Sequence, residues 1–225
     1  VRLGAATFSE IGGRVDAHLL IPLGATEQHG PHLPLETDTL IATGVAAAVA
    51  SARADAIFAP ALAYGSSGEH SAFPGTLSMG QAALEAVVVE LVRSAEDFRS
   101  IALIAWHGGN AEPVARALAR LRAERRNVLC WEPFVEGGDA HAGWVETSLM
   151  LALAPDLVRE ERPVGETEPL DRLLPILRQH GVKAIAENGV LGDTRGASAT
   201  LGGVLLAQFV NEISVLLDAT SDRTE

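Results

Sequence analysis

Ala17-His18-Leu19-Leu20-Ile21-Pro22-Leu23 followed by Gly24-Ala25-Thr26-Glu27-Gln28-His29-Gly30-Pro31-His32-Leu33-Pro34-Leu35-Glu36-Thr37-Asp38 is the stretch from which the fold can be read. Its first part is, apart from His18, an apolar run of strand length, as expected of a strand buried on both faces. The second part is polar and carries two glycines and two prolines, of which Gly30, Pro31 and Pro34 stiffen the loop. From Thr39 to Ala52 apolar residues then recur at three- and four-residue spacing, which predicts a helix. The same strand, polar loop and helix succession returns along the chain. Ala56–Ala63, Ile101–Ala105 and Val128–Trp131 read as further strands, and Gln81–Asp97 and Ala111–Arg125 as helices between them. Trp144–Leu153, Leu170–Gln179 and Ala197–Leu217 also read as helices. Alternation of this kind predicts an α/β fold, a single-domain three-layer α/β/α arrangement with a largely parallel sheet covered on both faces.

Working outward, 225 residues are enough for one generous domain, and no repeat or linker divides them, so residues 1–225 are expected to form one. Hydrophobic residues make up 48% and charged residues 20%, a globular composition rather than a disordered or fibrous one. The net charge of −12 disfavours phosphate backbones and anionic lipid, so neither nucleic acid nor membrane is an expected partner. The apolar stretches look interrupted short of the ~18–20 residues that a spanning helix needs. Cys130 is the one cysteine, which leaves no disulfide framework. With no signal-like N-terminus, the expected compartment is the cytoplasm. The chain opens on Val1 rather than methionine, and residues upstream of it are expected.

The polar clusters follow predicted strands, which in an open α/β sheet is the edge where ligands bind. Five of the seven histidines, His29, His32, His70, His107 and His141, lie in these segments, whereas His18 and His180 look ordinary. Glu27, His29 and Asp38 in the first cluster offer the carboxylate and imidazole mixture that a divalent transition metal takes. Asp38 also has a reading as a helix N-cap, a job that a ligand could do as well, and Glu36 reads as a solvated residue. In the second cluster, Gly68 to Ser78, Glu69 or His70 would supply a pocket wall, or the segment is a plain connector. His107-Gly108-Gly109-Asn110 opens a helix after a strand, as a metal-binding histidine or a phosphate cradle would, but no nucleotide fingerprint accompanies it. In the fourth, His141 to Ser148, Glu146 would complete a metal shell with His141 as an acid or base beside it, or the two merely begin an exposed helix. Trp144 and Phe73 either line a pocket or pack. A nucleophile elbow is absent and Cys130 has no histidine near it in sequence, so covalent catalysis has little support. Metal-activated water is the economical mechanism.

Taken together, these segments resemble the creatininase (creatinine amidohydrolase) family. The matching segments are EQHGPHLPLETD at 27–38, GSSGEHSAFPGT at 65–76, HGGN at 107–110, HAGWVETS at 141–148 and GVLGDTRGASATLGG at 189–203. The resemblance implies two divalent ions per chain, zinc or iron(II) with manganese as a further candidate, since ligand type does not choose among them. It implies that Glu27, Asp38 and His107 hold one ion, that His29, Asp38 and an acidic residue hold the other, and that His141 is the catalytic histidine. In creatininase itself the acidic ligand stands two residues after the turn histidine. Here that position is Gly109, and Glu146 is the substitute. A second departure is Ala105-Trp106 where many members have Asn-Gly. Before His141 the chain reads Gly137-Gly138-Asp139-Ala140, without the acidic and tryptophan residues of a creatinine pocket. The runs at 21–43 and 59–70 are most similar to a family peptidase that trims a C-terminal Val-Tyr dipeptide from a modified precursor peptide. Glu69, His70 and Trp144 would contact substrate, and a homo-oligomer is implied, a hexamer built from dimers among the candidates. Hydrolysis of a cyclic amide or formamide is the rival activity, and a non-catalytic metal- or peptide-binding module the rival class.

Overall fold

A computed structural model of the chain describes residues 1–14 and 16–221. Four strands, β1 (His18–Leu23), β2 (Ala56–Phe58), β3 (Ser100–Ala105) and β4 (Val128–Trp131), form a sheet of order β2-β1-β3-β4 in which every pairing is parallel. The helices are α1 (Phe8–Gly12), α2 (Thr37–Ala52), α3 (Gln81–Ser94), α4 (Ala111–Ala123), α5 (Trp144–Leu153), α6 (Leu170–His180) and α7 (Ala199–Ser221). Alternate residues of β1 feed two cores. Leu19, Ile21 and Leu23 pack with Leu84, Val88 and Val92 of α3 and Val114 and Leu121 of α4. Leu20 packs on the other face with Ile41 and Val45 of α2, Leu149 of α5 and Phe209 and Ile213 of α7. The result is the expected three-layer α/β/α arrangement.

The departures have local causes. The second strand stops at Phe58 instead of reaching Ala63, because Pro60 has no N–H to give to a ladder. Beyond it Ala59 N still donates to Leu20 O at 2.8 Å, and the chain meets β1 again at a bridge between Leu23 and Leu62. Pro22 is tolerated inside the central strand for a related reason: its carbonyl accepts from Leu62 N, on the side where β2 has already ended. The second helix begins at Thr37, with Glu36 at the cap position, so Asp38 lies in the first turn and is not the N-cap. The third helix ends at Ser94 rather than Asp97 and the fourth at Ala123 rather than Arg125. A short helix at Phe8–Gly12 was not expected; Glu10 accepts from Thr7 N at its start.

The last helix corrects the reading of the apolar runs. Over Ala199–Ala219 its mean hydropathy is 1.5, long and apolar enough to cross a membrane by length and composition. In the fold it lies along α5 and α2, with Leu205, Phe209, Ile213 and Leu217 in the core. Contact with α5 is close because position 202 has no side chain: a Cβ there would stand 1.9 Å from Ser148 O. Gly202→Ala should therefore push α7 off α5 and destabilise the protein by about 1–3 kcal/mol. Gly203→Ala, which would meet nothing within 4 Å, should stabilise the helix by about 0.5–1 kcal/mol. Urea midpoints of the two variants check this; equal shifts would refute the close-approach reading.

Candidate active site

All four polar clusters gather beyond the carboxyl ends of the strands. The loop after β1 folds back on itself, with Glu27 N donating to Leu35 O at 2.9 Å and a bridge between His29 and Leu33. Gly30 makes the turn at φ +65°, and a Cβ there would stand 2.6 Å from Val190 Cγ2. The extended piece before the turn sends Glu27 and His29, two residues apart, to the same side. The first turn of α2 adds Asp38, the end of β3 adds His107 and the first turn of α5 adds Glu146.

Glu27, Asp38 and His107 offer ligand atoms that all lie within 4.8 Å of one another, as do those of His29, Asp38 and Glu146. Asp38 belongs to both sets. Glu27, His29 and His141 form a third set by the same measure. Glu27, His29 and Asp38 are buried almost completely, yet both oxygens of Glu27 and Oδ2 of Asp38 have no hydrogen-bond partner among the described residues. Imidazoles ring them without bonding geometry: His107 Nε2 and His70 Nε2 stand 3.2 Å from the two Glu27 oxygens, and His107 Nδ1 is 3.6 Å from Asp38 Oδ2. Buried carboxylate oxygens left without hydrogen bonds are costly, and a divalent cation with oxygen and nitrogen ligands would satisfy them. The donor set fits such an ion.

Electrostatics follow from this crowding. Burial alone would raise Glu27, but His107, His70 and His141 hold it well below the usual carboxylate range. Burial pushes Asp38 up against the pull of His29. Burial would lower His29 and His107, but the carboxylates beside them, Asp38 and Glu146 for one and Glu27 and Asp38 for the other, raise both to about 10. His70 falls to about 2 through burial and the neighbouring His141, and His141 is lowered by burial and by His29.

Gln28 ties the imidazoles together. Its Oε1 accepts from Gly30 N at 2.9 Å, which orients the amide. The Nε2 then faces three acceptor positions with two hydrogens: Gly189 O at 2.9 Å, His70 Nδ1 at 2.9 Å and His141 Nε2 at 3.0 Å. His141 Nε2 is also 2.9 Å from the backbone carbonyl of Gln28. At the Gln28 amide and carbonyl, one assignment leaves no acceptor facing an acceptor. His141 Nε2–H donates to Gln28 O, and the amide donates to Gly189 and His70. The neutral His141 then turns a bare Nδ1 toward Glu27 Oε1, 3.8 Å away.

The fourth cluster is held from two directions. Asp139 accepts from the N–H groups of Trp144 and Val145, capping α5, and burial lifts it to about 6. Ala142, buried and at φ +54°, turns its N–H onto Glu146 Oε2 at 2.6 Å. Beside these residues opens a cleft of about 750 Å³ whose lining includes His107, Glu146, Trp144, Phe134 and Asp139. Of the three residues expected to meet substrate, Trp144 lines this cleft. Glu69 and His70 do not; they stand against His107 and Glu27. Phe73 packs with the Leu173 and Val182 cluster, under Lys183. His32 bonds Thr147 Oγ1 at 2.9 Å, and His18 bonds Ser100 Oγ at 2.7 Å at the amino end of the sheet. Sequence reasoning passed over Gln28, because an amide is neither a ligand nor a titrating group; its place inside the Glu27–Asp38 motif was the available signal.

A family model described as creatinine amidohydrolase matches residues 5–217. The chain belongs to the creatininase family. It is 48% identical over 217 residues to the mycofactocin precursor peptide peptidase of Mycolicibacterium smegmatis, covering 93% of this chain and 87% of that protein. It is 35% identical to the creatinine amidohydrolase of Pseudomonas putida, covering 95% of each. Among solved structures, a mutant creatininase aligns with TM-score 0.83 at 29% identity over 96% of this chain and 97% of the other. A creatininase described as a manganese form aligns with TM-score 0.77 at 29% identity over 96% and 97%, and one of Zn-Zn type with 0.78 at 28% over 96% of each.

Because the folded-state values of His29 and His107 lie above the ordinary 6.5, their contribution to the stability of chelator-treated protein is complete below pH 6.5 and fades as pH rises toward about 10. Urea unfolding of metal-free protein between pH 6 and pH 10 should show that decline. A flat profile would mean that the two imidazoles are not paired as described.

Proposed function

We propose that this creatininase-family amidohydrolase is a metal-dependent peptidase that releases a C-terminal dipeptide from a modified precursor peptide of the mycofactocin type. The observation that carries the catalytic part is the sharing of Asp38 between two ligand sets while buried oxygens of Glu27 and Asp38 lack hydrogen bonds. Two divalent ions, one held by Glu27, Asp38 and His107 and one by His29, Asp38 and Glu146, would bring a water's pKa from 15.7 to about 7. Zinc, iron(II) and manganese all suit these ligands. The peptide substrate is supported by the 48% identity to a mycofactocin precursor peptide peptidase.

His141 is the proton carrier. Its bare Nδ1 takes the proton released as water attacks the scissile carbonyl, and the same atom returns it to the leaving amine nitrogen. Gln28 O keeps the other ring nitrogen engaged throughout, so the imidazole turns neither its edge nor its tautomer. His29 Nδ1 lies 3.1 Å from Glu27 O, a hydrogen bond that leaves its Nε2 facing Asp38 and Glu146. The cleft beside Glu146 offers Trp144 and Phe134 to the substrate, and Gly137 and Gly138 in its wall leave room for a peptide tail.

Elemental analysis should find two ions per native chain, almost none in Asp38→Ala, and loss of mainly one in Glu27→Ala. His141→Ala should keep its metal and lose roughly 10²–10⁴-fold in turnover; metal loss in step with activity would make His141 a ligand instead. At equal concentration, the modified precursor peptide should release its dipeptide faster than creatinine is hydrolysed. Faster creatinine hydrolysis would overturn the substrate while leaving the metal-hydrolase reading in place.

A further inference from the structure

Glu146 projects from the first turn of α5, where nothing in the helix itself fixes its carboxylate. The last torsion of a glutamate is broad, so the plane of its two oxygens is set by what they bond. Here the oxygens have separate partners. Oε2 takes the Ala142 N–H at 2.6 Å and stands 3.7 Å from His29 Nε2, on the side shared with Asp38. Oε1 takes the indole N–H of Trp106 at 2.8 Å.

Trp106 is rigid. Its backbone N–H extends the ladder of β3 by donating to Leu23 O at 3.1 Å, and the side chain is buried. Its ring meets Phe209 edge-on at 5.7 Å and lies 6.4 Å from the ring of Trp131. Trp131 sends its own N–H elsewhere, to Glu212 Oε2 at 3.0 Å. An indole is a donor only, has no lone pair for a metal and does not ionise, so it can hold a carboxylate without competing for the ion. A hydrogen bond to an ionised acceptor is also among the stronger ones.

We infer that Trp106 is the positioning residue of the second metal site: its indole N–H pins Glu146 Oε1 so that Oε2 faces His29 and Asp38. This rests on the reading of Glu146 as a ligand. Both departures of the chain from the creatininase pattern then meet at one contact. Gly109 brings no carboxylate to the site, Glu146 supplies it from another element, and the tryptophan before His107 holds it in place.

The test is titration of chelator-stripped protein with cobalt(II) alone, followed by calorimetry and by the visible bands of the bound ion, with no substrate present. Trp106→Phe keeps a ring against Phe209 and Trp131 while removing the donor. Benzothienylalanine at the same position keeps the bicyclic shape and removes only the N–H, so it serves where phenylalanine disturbs folding. Either replacement should weaken the second binding step roughly 10–100-fold and leave the first unchanged. In a Glu146→Gln background the same replacement should cause no further loss, since the two residues act through one contact. Native affinity for both ions in the Trp106 variants, with the second ion lost from Glu146→Gln, would overturn the role of Trp106 and leave Glu146 as a ligand. Native affinity in Glu146→Gln would overturn both. Equal weakening of the two steps would also overturn it, because that is the mark of general disturbance.

Discussion

The site depends on the burial of two carboxylates, Glu27 and Asp38, with oxygens that no hydrogen bond among the described residues satisfies. Such burial costs several kcal/mol per ion unless positive charge is brought to it. The rest of the carboxyl edge meets that demand. Parallel pairing of β1 with β3 brings Glu27 and His29 beside His107, and the first turn of α2 places Asp38 between them. His70 and His141 close the ring, and Gln28 decides which of their nitrogens carries hydrogen. Asp38 also sits where the partial positive charge of a helix N-terminus favours an anion. One demand, cation for buried anion, thus organises loops from four separate parts of the chain.

Much of this was legible because it lay in runs. Ile101–Ala105 is a continuous apolar segment, as a strand buried on both faces is, and Val128–Trp131 is apolar too, with Leu129 and Cys130 half-buried at the edge of the sheet. Glu27, His29, Asp38 and His107 were visible because each follows a strand, and the ends of parallel strands converge. Asp38 could not be separated from a cap residue by sequence, since a carboxylate at the start of a helix serves either purpose. Partnerships stayed hidden. Nothing in the residues from Ala105 to Asn110 says that the Trp106 indole reaches Glu146, forty residues on. Phe73 and Trp144 are both aromatic neighbours of motif residues, yet one packs away from the cleft and the other lines it. Hydropathy was ambiguous for α7, because a helix that covers a core and one that faces lipid avoid charge for the same reason.

The histidines divide by edge of the sheet. His18, at the amino end of β1, is engaged by Ser100 and stands 3.8 Å from Asp55, far along the strand from the carboxyl edge. At the other edge, the rings of His29, His141 and His70 follow one another at centroid separations of 4.4 and 4.5 Å. Imidazoles so close cannot all be charged: the carboxylates beside His29 raise it, while burial and the neighbouring rings lower His141 and His70.

Gly109 constrains what this chain can become. A Cβ at that position would lie 2.2 Å from Ser66 O, 2.4 Å from His107 Nε2 and 2.5 Å from Glu69 Oε1. An acidic residue cannot be added there while the Ser66–Glu69 turn keeps its course. A single substitution therefore cannot place a carboxylate at position 109; the Ser66–Glu69 turn would have to move with it. On the proposed reading, in which Glu146 supplies the carboxylate, the chain is held to its own version of the site by the shape of the Ser66–Glu69 turn as much as by its chemistry.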